Sequence, residues 1–213
     1  MKTTPPPTRA RRKADRPGEL LEAALDTFVA KGFSAARMED IAARAGVSKG
    51  TIYLYYPSKE AIFEALVRRD IIPRVEAAEA MLAASGAAPE LQLRHLLEFM
   101  GKATADPRVA AVPKLVLAEA GNFPEMARFY RREVVGRGLA LIEGILRRGM
   151  ESGAFRPLDT RATARLFVAP IILSALWQTS FAPIEDAPEP PGPMLALHLD
   201  LFLGALRAEG ASR

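Results

Sequence analysis

Residues 34–63 read SAARMEDIAARAGVSKGTIYLYYPSKEAIF, and how this stretch divides decides the fold. A first short helix is expected from Met38 to Ala45, stopped by Gly46, which takes a left-handed conformation without a Cβ penalty. Ser48 suits the N-cap of a second helix, Lys49 to Tyr55, because its oxygen can accept an orphan backbone N–H. Ala42 and Gly46 stand four apart, where two steeply crossing helices would touch, so small residues are expected there for space. Two helices joined by so tight a turn form a helix-turn-helix, whose second helix enters the DNA major groove.

On the N-terminal side, Leu20, Leu21, Ala24, Leu25, Phe28 and Val29 keep helical spacing over Pro17–Lys31. Pro17 would be the first residue of that helix and Gly32 its stop, with Phe33 folding back onto the apolar face. Residues 1–16, MKTTPPPTRARRKADR, carry three consecutive prolines and six basic residues against Asp15 alone. They are expected to form a disordered basic arm. Such an arm suits two roles, reaching DNA phosphate or the minor groove, or acting only as a solvated tail.

On the other side, Ser58 caps a fourth helix with Ile62, Phe63, Leu66, Val67 and Ile71 on one face, and Pro73 is expected to kink it from inside. Residues 17–63 thus form the expected DNA-binding domain, and 64–213 a second domain.

The run from Gly32-Phe33 through Asp40–Ala42, Ala45–Tyr53 and Tyr55–Ile62 resembles the N-terminal domain of the TetR family of bacterial transcriptional regulators. LVLAEAGNFPEMARFY (115–130) and ESGAFRPLDTRATARLF (151–167) resemble, more loosely, the ligand-binding domains of one subgroup. The resemblance implies that Lys49, Thr51, Tyr53 and Lys59 touch phosphates and that Gly50, Leu54 and Tyr55 lie nearest the bases. It places Arg37 where the family usually has a capping Thr or Ser. The lost cap would cost ~1 kcal/mol unless Arg37 gains a phosphate contact. With the capping Ser48, the DNA-facing set is Arg37, Ser48, Lys49, Gly50, Thr51, Tyr53, Leu54, Tyr55 and Lys59. The family's Phe stands where this chain has Tyr56, whose hydroxyl needs a partner or an edge position.

Composition agrees with that division. Residues 1–70 hold 13 Lys/Arg against 9 Asp/Glu, whereas residues 71–213 hold 16 of each. The positive excess sits with the helix-turn-helix, as an electrostatic footprint for nucleic acid should. There is no cysteine, which removes disulfides, thiolate nucleophiles and cysteine metal sites. No apolar N-terminal segment suggests secretion. The charge-free stretch Leu166–Ile184 is interrupted by Pro170 and Pro183 and reads as a buried helix and its loop rather than a membrane span. A cytoplasmic protein without metal or cofactor is expected.

The remaining chain shows helical spacing throughout and no strand pattern, so the expected fold is all-α with about nine helices. Expected helices run Leu91–Lys102, Val109–Ala120, Pro124–Ser152, Thr160–Phe181 and Met194–Arg207. Gly136, Gly138, Gly144 and Gly149 are read as points of close helix packing. Phe99, Met100, Leu115, Leu117, Phe123, Met126, Phe129, Tyr130 and Trp177 either line a cavity for an apolar ligand or simply fill the core, which periodicity cannot separate. The last two helices are apolar over a wide arc, which suggests burial against a second copy. Phe167, Ile171, Leu195, Leu199, Phe202 and Leu206 are the expected interface residues, in a four-helix arrangement usual for the family.

The combined expectation is a homodimeric, ligand-responsive repressor reading a palindromic operator in double-stranded DNA, released by a small, largely apolar effector. Two other classes compete. One is an architectural DNA binder without a ligand. The other is an enzyme using His95, although His95 and His198 are the only histidines and no catalytic motif accompanies them.

Overall fold

The computed structural model describes residues 9–207, with side chains from Arg16 onward. Its described residues are helical apart from turns and one isolated antiparallel bridge between Phe155 and Arg207. Eleven α-helices follow in order: α1 (Arg9–Lys31), α2 (Met38–Arg44), α3 (Lys49–Tyr55), α4 (Lys59–Asp70), α5 (Ile72–Ala83), α6 (Pro89–Thr104), α7 (Pro107–Glu119), α8 (Pro124–Tyr130), α9 (Arg137–Glu151), α10 (Thr160–Ser180) and α11 (Pro191–Leu206). A π-helical stretch, Arg131–Gly136, joins α8 to α9 without a break, and only Ile71 separates α4 from α5. Counted as rods, these are nine.

The expected arm meets a correction. Helix α1 begins at Arg9, so residues 9–16 are helical and Pro17 lies inside the helix. Arg, Lys and Ala are strong helix formers and outweigh the one backbone bond that Pro17 cannot donate. Residues 1–8 lie outside the described residues.

The chain divides into two compact units, one ending at Val67 and the next beginning at Arg68. In the first, Leu20, Ala24, Leu25 and Phe28 of α1 are buried with Phe33, Ile41, Ala42, Ile52, Ile62 and Phe63. The Phe28 and Phe33 rings meet tilted at 4.9 Å, and Phe33 meets Phe63 edge to face at 6.0 Å. Val29, expected on this face, is 62% exposed.

Capping residues set the helix starts in the second unit. Asp106 accepts the Arg108 N–H at the head of α7, and Asp159 accepts those of Arg161 and Ala162 at the head of α10. Pro89, Pro107, Pro124 and Pro191 open helices where their missing N–H costs nothing. Pro73 does the same in α5, so the expected kink is instead a break at Ile71 with Pro73 in the first turn beyond it. Leu93, Leu96, Leu97, Ile142, Ile145, Phe167, Leu199 and Leu203 form the core of this unit.

Of the four glycines read as packing points, Gly149 is the one that packing compels. A Cβ there would lie 1.9 Å from the Phe155 ring, whereas at Gly138 it would meet nothing within 4 Å. Helix α10 is long and apolar enough, by length and composition, to cross a membrane. Here it packs against α7, α9 and α11.

Candidate functional site

The helix-turn-helix forms as its spacing requires. Gly46 stops α2 with φ +67°, and the Val47 N–H closes back on the Ala42 carbonyl at 2.9 Å. A Cβ at Gly46 would meet nothing within 4 Å. Backbone conformation, not the expected helix-crossing space, therefore demands the glycine. Ser48 caps α3: its Oγ accepts the Thr51 N–H at 3.2 Å and lies 2.8 Å from the Thr51 hydroxyl. At the head of α2, Arg37 offers no acceptor, but the Asp40 carboxylate takes the Arg37 N–H at 3.1 Å. Half of a capping box thus survives the missing Ser or Thr. The Asp40 carboxyl is held below its ordinary pKa by the Lys31 ammonium, 2.8 Å away, and by that N–H.

Helix α3 buries a single side chain, Ile52. Lys49, Gly50, Tyr53 and Leu54 are exposed, and Thr51 and Tyr55 half-buried. Leu54 is 83% exposed, one helical turn beyond Gly50, whose missing side chain leaves open space with only the Ser48 Oγ at 3.9 Å. Glycine inside a helix costs ~1 kcal/mol relative to alanine, and no neighbour within the protein requires it here. The result is a rod carrying hydroxyls, a cation and one apolar side chain beside accessible backbone, suited to a polar groove bearing methyl groups.

Two cations differ from the expectation. Lys59 directs its ammonium to the carbonyls of Phe33 (2.7 Å), Ser34 (2.9 Å) and Ala36 (3.4 Å), above the Phe33 ring. Its ammonium is thus engaged with the turn after α1 and fastens that turn to α4. Lys49 is exposed as expected but pairs with Glu39 of α2 at 2.6 Å. The contact holds the Glu39 carboxyl below its ordinary pKa and the Lys49 ammonium above its own.

In the second unit lies a cavity of about 540 Å³, within the range of small-molecule sites. Its walls come at helical spacing from α5 (Arg74, Val75, Ala78), α6 (Leu96, Phe99, Met100, Ala103, Thr104), α7 (Val109, Pro113, Val116, Leu117, Ala120) and α10 (Val168, Ile171, Ile172). The α8–α9 rod adds Ala127, Tyr130, Arg131, Val134, Val135, Gly138 and Leu139. Exposed Leu117 and Arg131 mark where it meets solvent. The π-helical stretch forms part of the wall, a common place for one.

Of the expected lining, Phe99, Met100, Leu117 and Tyr130 belong to the wall, and Leu115, Phe123, Met126, Phe129 and Trp177 do not. Met126 and Phe129 are buried on a neighbouring face of α8, about 100° around from the cavity stripe, and Phe129 lies under the Arg68 guanidinium at 4.8 Å. Trp177 points outward, donating to Glu185 at 2.9 Å and lying against Phe181. Arg74, Val75, Val134 and Val135 were missed. For Val134 the signal was available, four residues after Tyr130 on the same helical face, whereas Arg74 and Val75 lie on a helix with no recognised wall residue and carried none.

The expected interface residues need the same correction. Phe167, Ile171, Leu195, Leu199 and Leu206 are buried inside the protomer, and Phe202 is half-buried. The exposed apolar residues of the same helices are Leu166, Leu173 and Trp177 on α10, and Met194, Leu197 and Leu201 on α11. Both helices are apolar on two sides, and the expected residues lie on the side that packs into the protomer's own core. His95 is exposed, and His198 lies between Phe167 and Phe202, its pKa lowered by burial.

Comparison with known proteins gives this geometry its context. Residues 20–66 match the model of bacterial regulatory proteins of the tetR family, and residues 90–188 match that of the tetracyclin repressor-like C-terminal domain. The HTH-type transcriptional repressor KstR2 of Mycobacterium tuberculosis is 26% identical over 215 residues, covering 92% of this chain and 94% of that protein. A solved structure of this ketosteroid transcriptional regulator superposes with TM-score 0.73 at 27% identity, over 91% of this chain and 96% of that one. The fatty acid metabolism regulator protein of Bacillus subtilis (strain 168) is 26% identical over 154 residues, 72% of this chain and 78% of its own. The crystal structure of the transcriptional regulator FadR from Bacillus subtilis, in complex with stearoyl-CoA, shares the fold with TM-score 0.67 at 22% identity, over 89% of this chain and 99% of that one. The chain belongs to the TetR family and is a DNA-binding transcriptional regulator of that family.

Proposed function

We propose that this regulator is a repressor that binds a palindromic operator as a homodimer and leaves it when a small, largely apolar molecule enters the cavity of the second unit. The observation that carries the reading is this cavity, with a wall almost wholly of hydrocarbon, in a chain whose other unit displays α3. An architectural DNA binder has no use for such a space, which favours an effector. As a TetR-family regulator the chain is not an enzyme, so the His95 alternative lapses.

The dimer is assigned to the exposed stripes Leu166, Leu173, Trp177 and Met194, Leu197, Leu201. Each such side chain, once fully buried, contributes roughly 1.5–3 kcal/mol. A two-fold pair would place the two α3 helices about one DNA turn apart, ~34–36 Å. Its operator affinity would fall steeply with salt, since phosphate contacts release counterions. Effector binding works by population shift: the ligand must favour the dimer form with the wrong helix spacing by several kcal/mol. The names of relatives that act in fatty acid and ketosteroid regulation suit a hydrocarbon effector, carried as a coenzyme A thioester or free, acting in the cytoplasm.

Two measurements test this. Tyr53→Ala is expected to weaken operator binding about 10- to 100-fold in gel-shift titration, the ~1–3 kcal/mol of a groove contact, with the melting temperature unchanged. Unaltered binding would remove α3 from the DNA. Long-chain acyl-CoA, added to the protein–operator complex, is expected to release the DNA, and indifference to every apolar ligand tried would leave the architectural reading standing.

A further inference from the structure

Tyr130 is 9% exposed and lines the cavity. No described side chain or carbonyl pairs with its hydroxyl, yet no fully enclosed side-chain oxygen lacks a partner. The phenolic oxygen is therefore not fully enclosed, and the cavity is the open space that Tyr130 borders. The other polar groups of the wall are differently placed. The Thr104 hydroxyl donates to the Met100 and Gly101 carbonyls. Arg74 is held by the Asp70 carbonyl and Asp106, and Arg131 is exposed at the rim. A hydroxyl without a partner at an apolar wall is costly unless the occupant supplies one. We infer that the effector carries an uncharged oxygen, as a hydroxyl or an ester, thioester or ketone carbonyl on a hydrocarbon frame, and that Tyr130 binds this oxygen and so selects for it.

Burial pushes the Tyr130 phenol well above its ordinary pKa, so it is neutral at every physiological pH and can donate or accept. A free carboxylate brought to the same point would lose water and meet a neutral phenol instead of a cation. Ionised acids are thus discriminated against by desolvation, and neutral oxygen functions of the same chain length are preferred. This rests on the cavity being the effector site, and the experiment separates the two.

The probe is N-phenyl-naphthylamine, an apolar dye that fluoresces on entering hydrocarbon surroundings, displaced from the full-length protein by decanol, methyl decanoate, decanoate or decane. Decanol and methyl decanoate are expected to compete better than decane and decanoate. Tyr130→Phe, which removes one oxygen, is expected to weaken those two about five- to tenfold, the effect of one neutral hydrogen bond, and to leave dye and decane unchanged. If Tyr130→Phe shifts all four alike or none, or if decanoate competes better than its methyl ester, the assignment is overturned. The cavity itself is tested by filling it with Ala103→Leu and, independently, Val135→Phe. Loss of dye binding in either folded variant supports the site. Undiminished binding in both places the dye elsewhere and overturns the cavity reading together with the inference built on it.

Discussion

The two units carry their functional surfaces in opposite ways. In the first, the seven-residue helix α3 is the candidate site, and the protein buries only Ile52 to hold it. In the second, the candidate site is a hollow whose wall is gathered from α5, α6, α7, the α8–α9 rod and α10, several residues from each. A convex site is local, because every outward residue of a short helix is available to a partner. A concave one is collective, because each wall residue is defined by where other helices stop short of it. The first tolerates side-chain changes that leave the helix caps intact. The second changes shape whenever any of several helices shifts.

The largest effect that could break this comparison concerns the surface that belongs to neither site. Leu173→Glu with Leu201→Glu places charge on both exposed stripes and is expected to convert dimer to monomer in analytical ultracentrifugation. Operator affinity should fall at least about a hundredfold, since two half-sites no longer bind together, while helicity and melting temperature change little. Phe167→Ala, one residue from Leu166 but wholly buried, should do the reverse, costing ~3–5 kcal/mol of stability. If the two variants behave alike, the separation of outer stripe from inner core is wrong.

A smaller effect sharpens the boundary between the DNA surface and its support. Lys59→Met removes the ammonium from three carbonyls after α1, and charged hydrogen bonds are worth ~1.5–3 kcal/mol each before solvent screening. Because Lys59 is half-exposed, a net loss of about 1–2 kcal/mol, read by urea unfolding, is expected. The salt dependence of operator binding should be unchanged. A stable variant with a salt slope reduced by about one would return Lys59 to the phosphate backbone.

The smallest effect is expected at Glu39. Glu39→Gln frees Lys49, and binding to non-operator duplex at low salt should rise a few-fold, with little change in stability. The pKa of Glu39 is lowered in the fold, so the pair is intact above the ordinary carboxylate range and is lost only as pH falls through the lowered value. At neutral pH substitution, not titration, is therefore the lever. Unchanged non-operator binding would show that the pair does not restrain Lys49.

Much of this was legible in residues alone. Gly46 and Ser48 fix the turn through backbone conformation and one capping oxygen, which are local interactions, so α2 and α3 were placed from the sequence. The positive excess of residues 1–70 and the exposed positions of α3 followed for the same reason. What failed was consistently the choice of face or partner. Lys59 looked like a phosphate ligand until the turn after α1 came within reach of its ammonium. Phe167 and Leu199 looked like an interface, since a helix apolar all round does not say which side meets its own core. Met126 and Phe129 looked like cavity lining although a quarter turn away Ala127 and Tyr130 hold that place.

The sequence by itself determined the helices of the helix-turn-helix, their caps and breaks, and which of them is the candidate for meeting DNA. These depend on dihedral preference, hydrogen bonds within a few residues and periodicity, all of which act along the chain. Only the tertiary structure decided that a hollow exists, that Tyr130 lines it, and which stripes of α10 and α11 remain uncovered. Those depend on where helices distant in sequence come to rest, and packing across that distance leaves no mark in the spacing of any one of them.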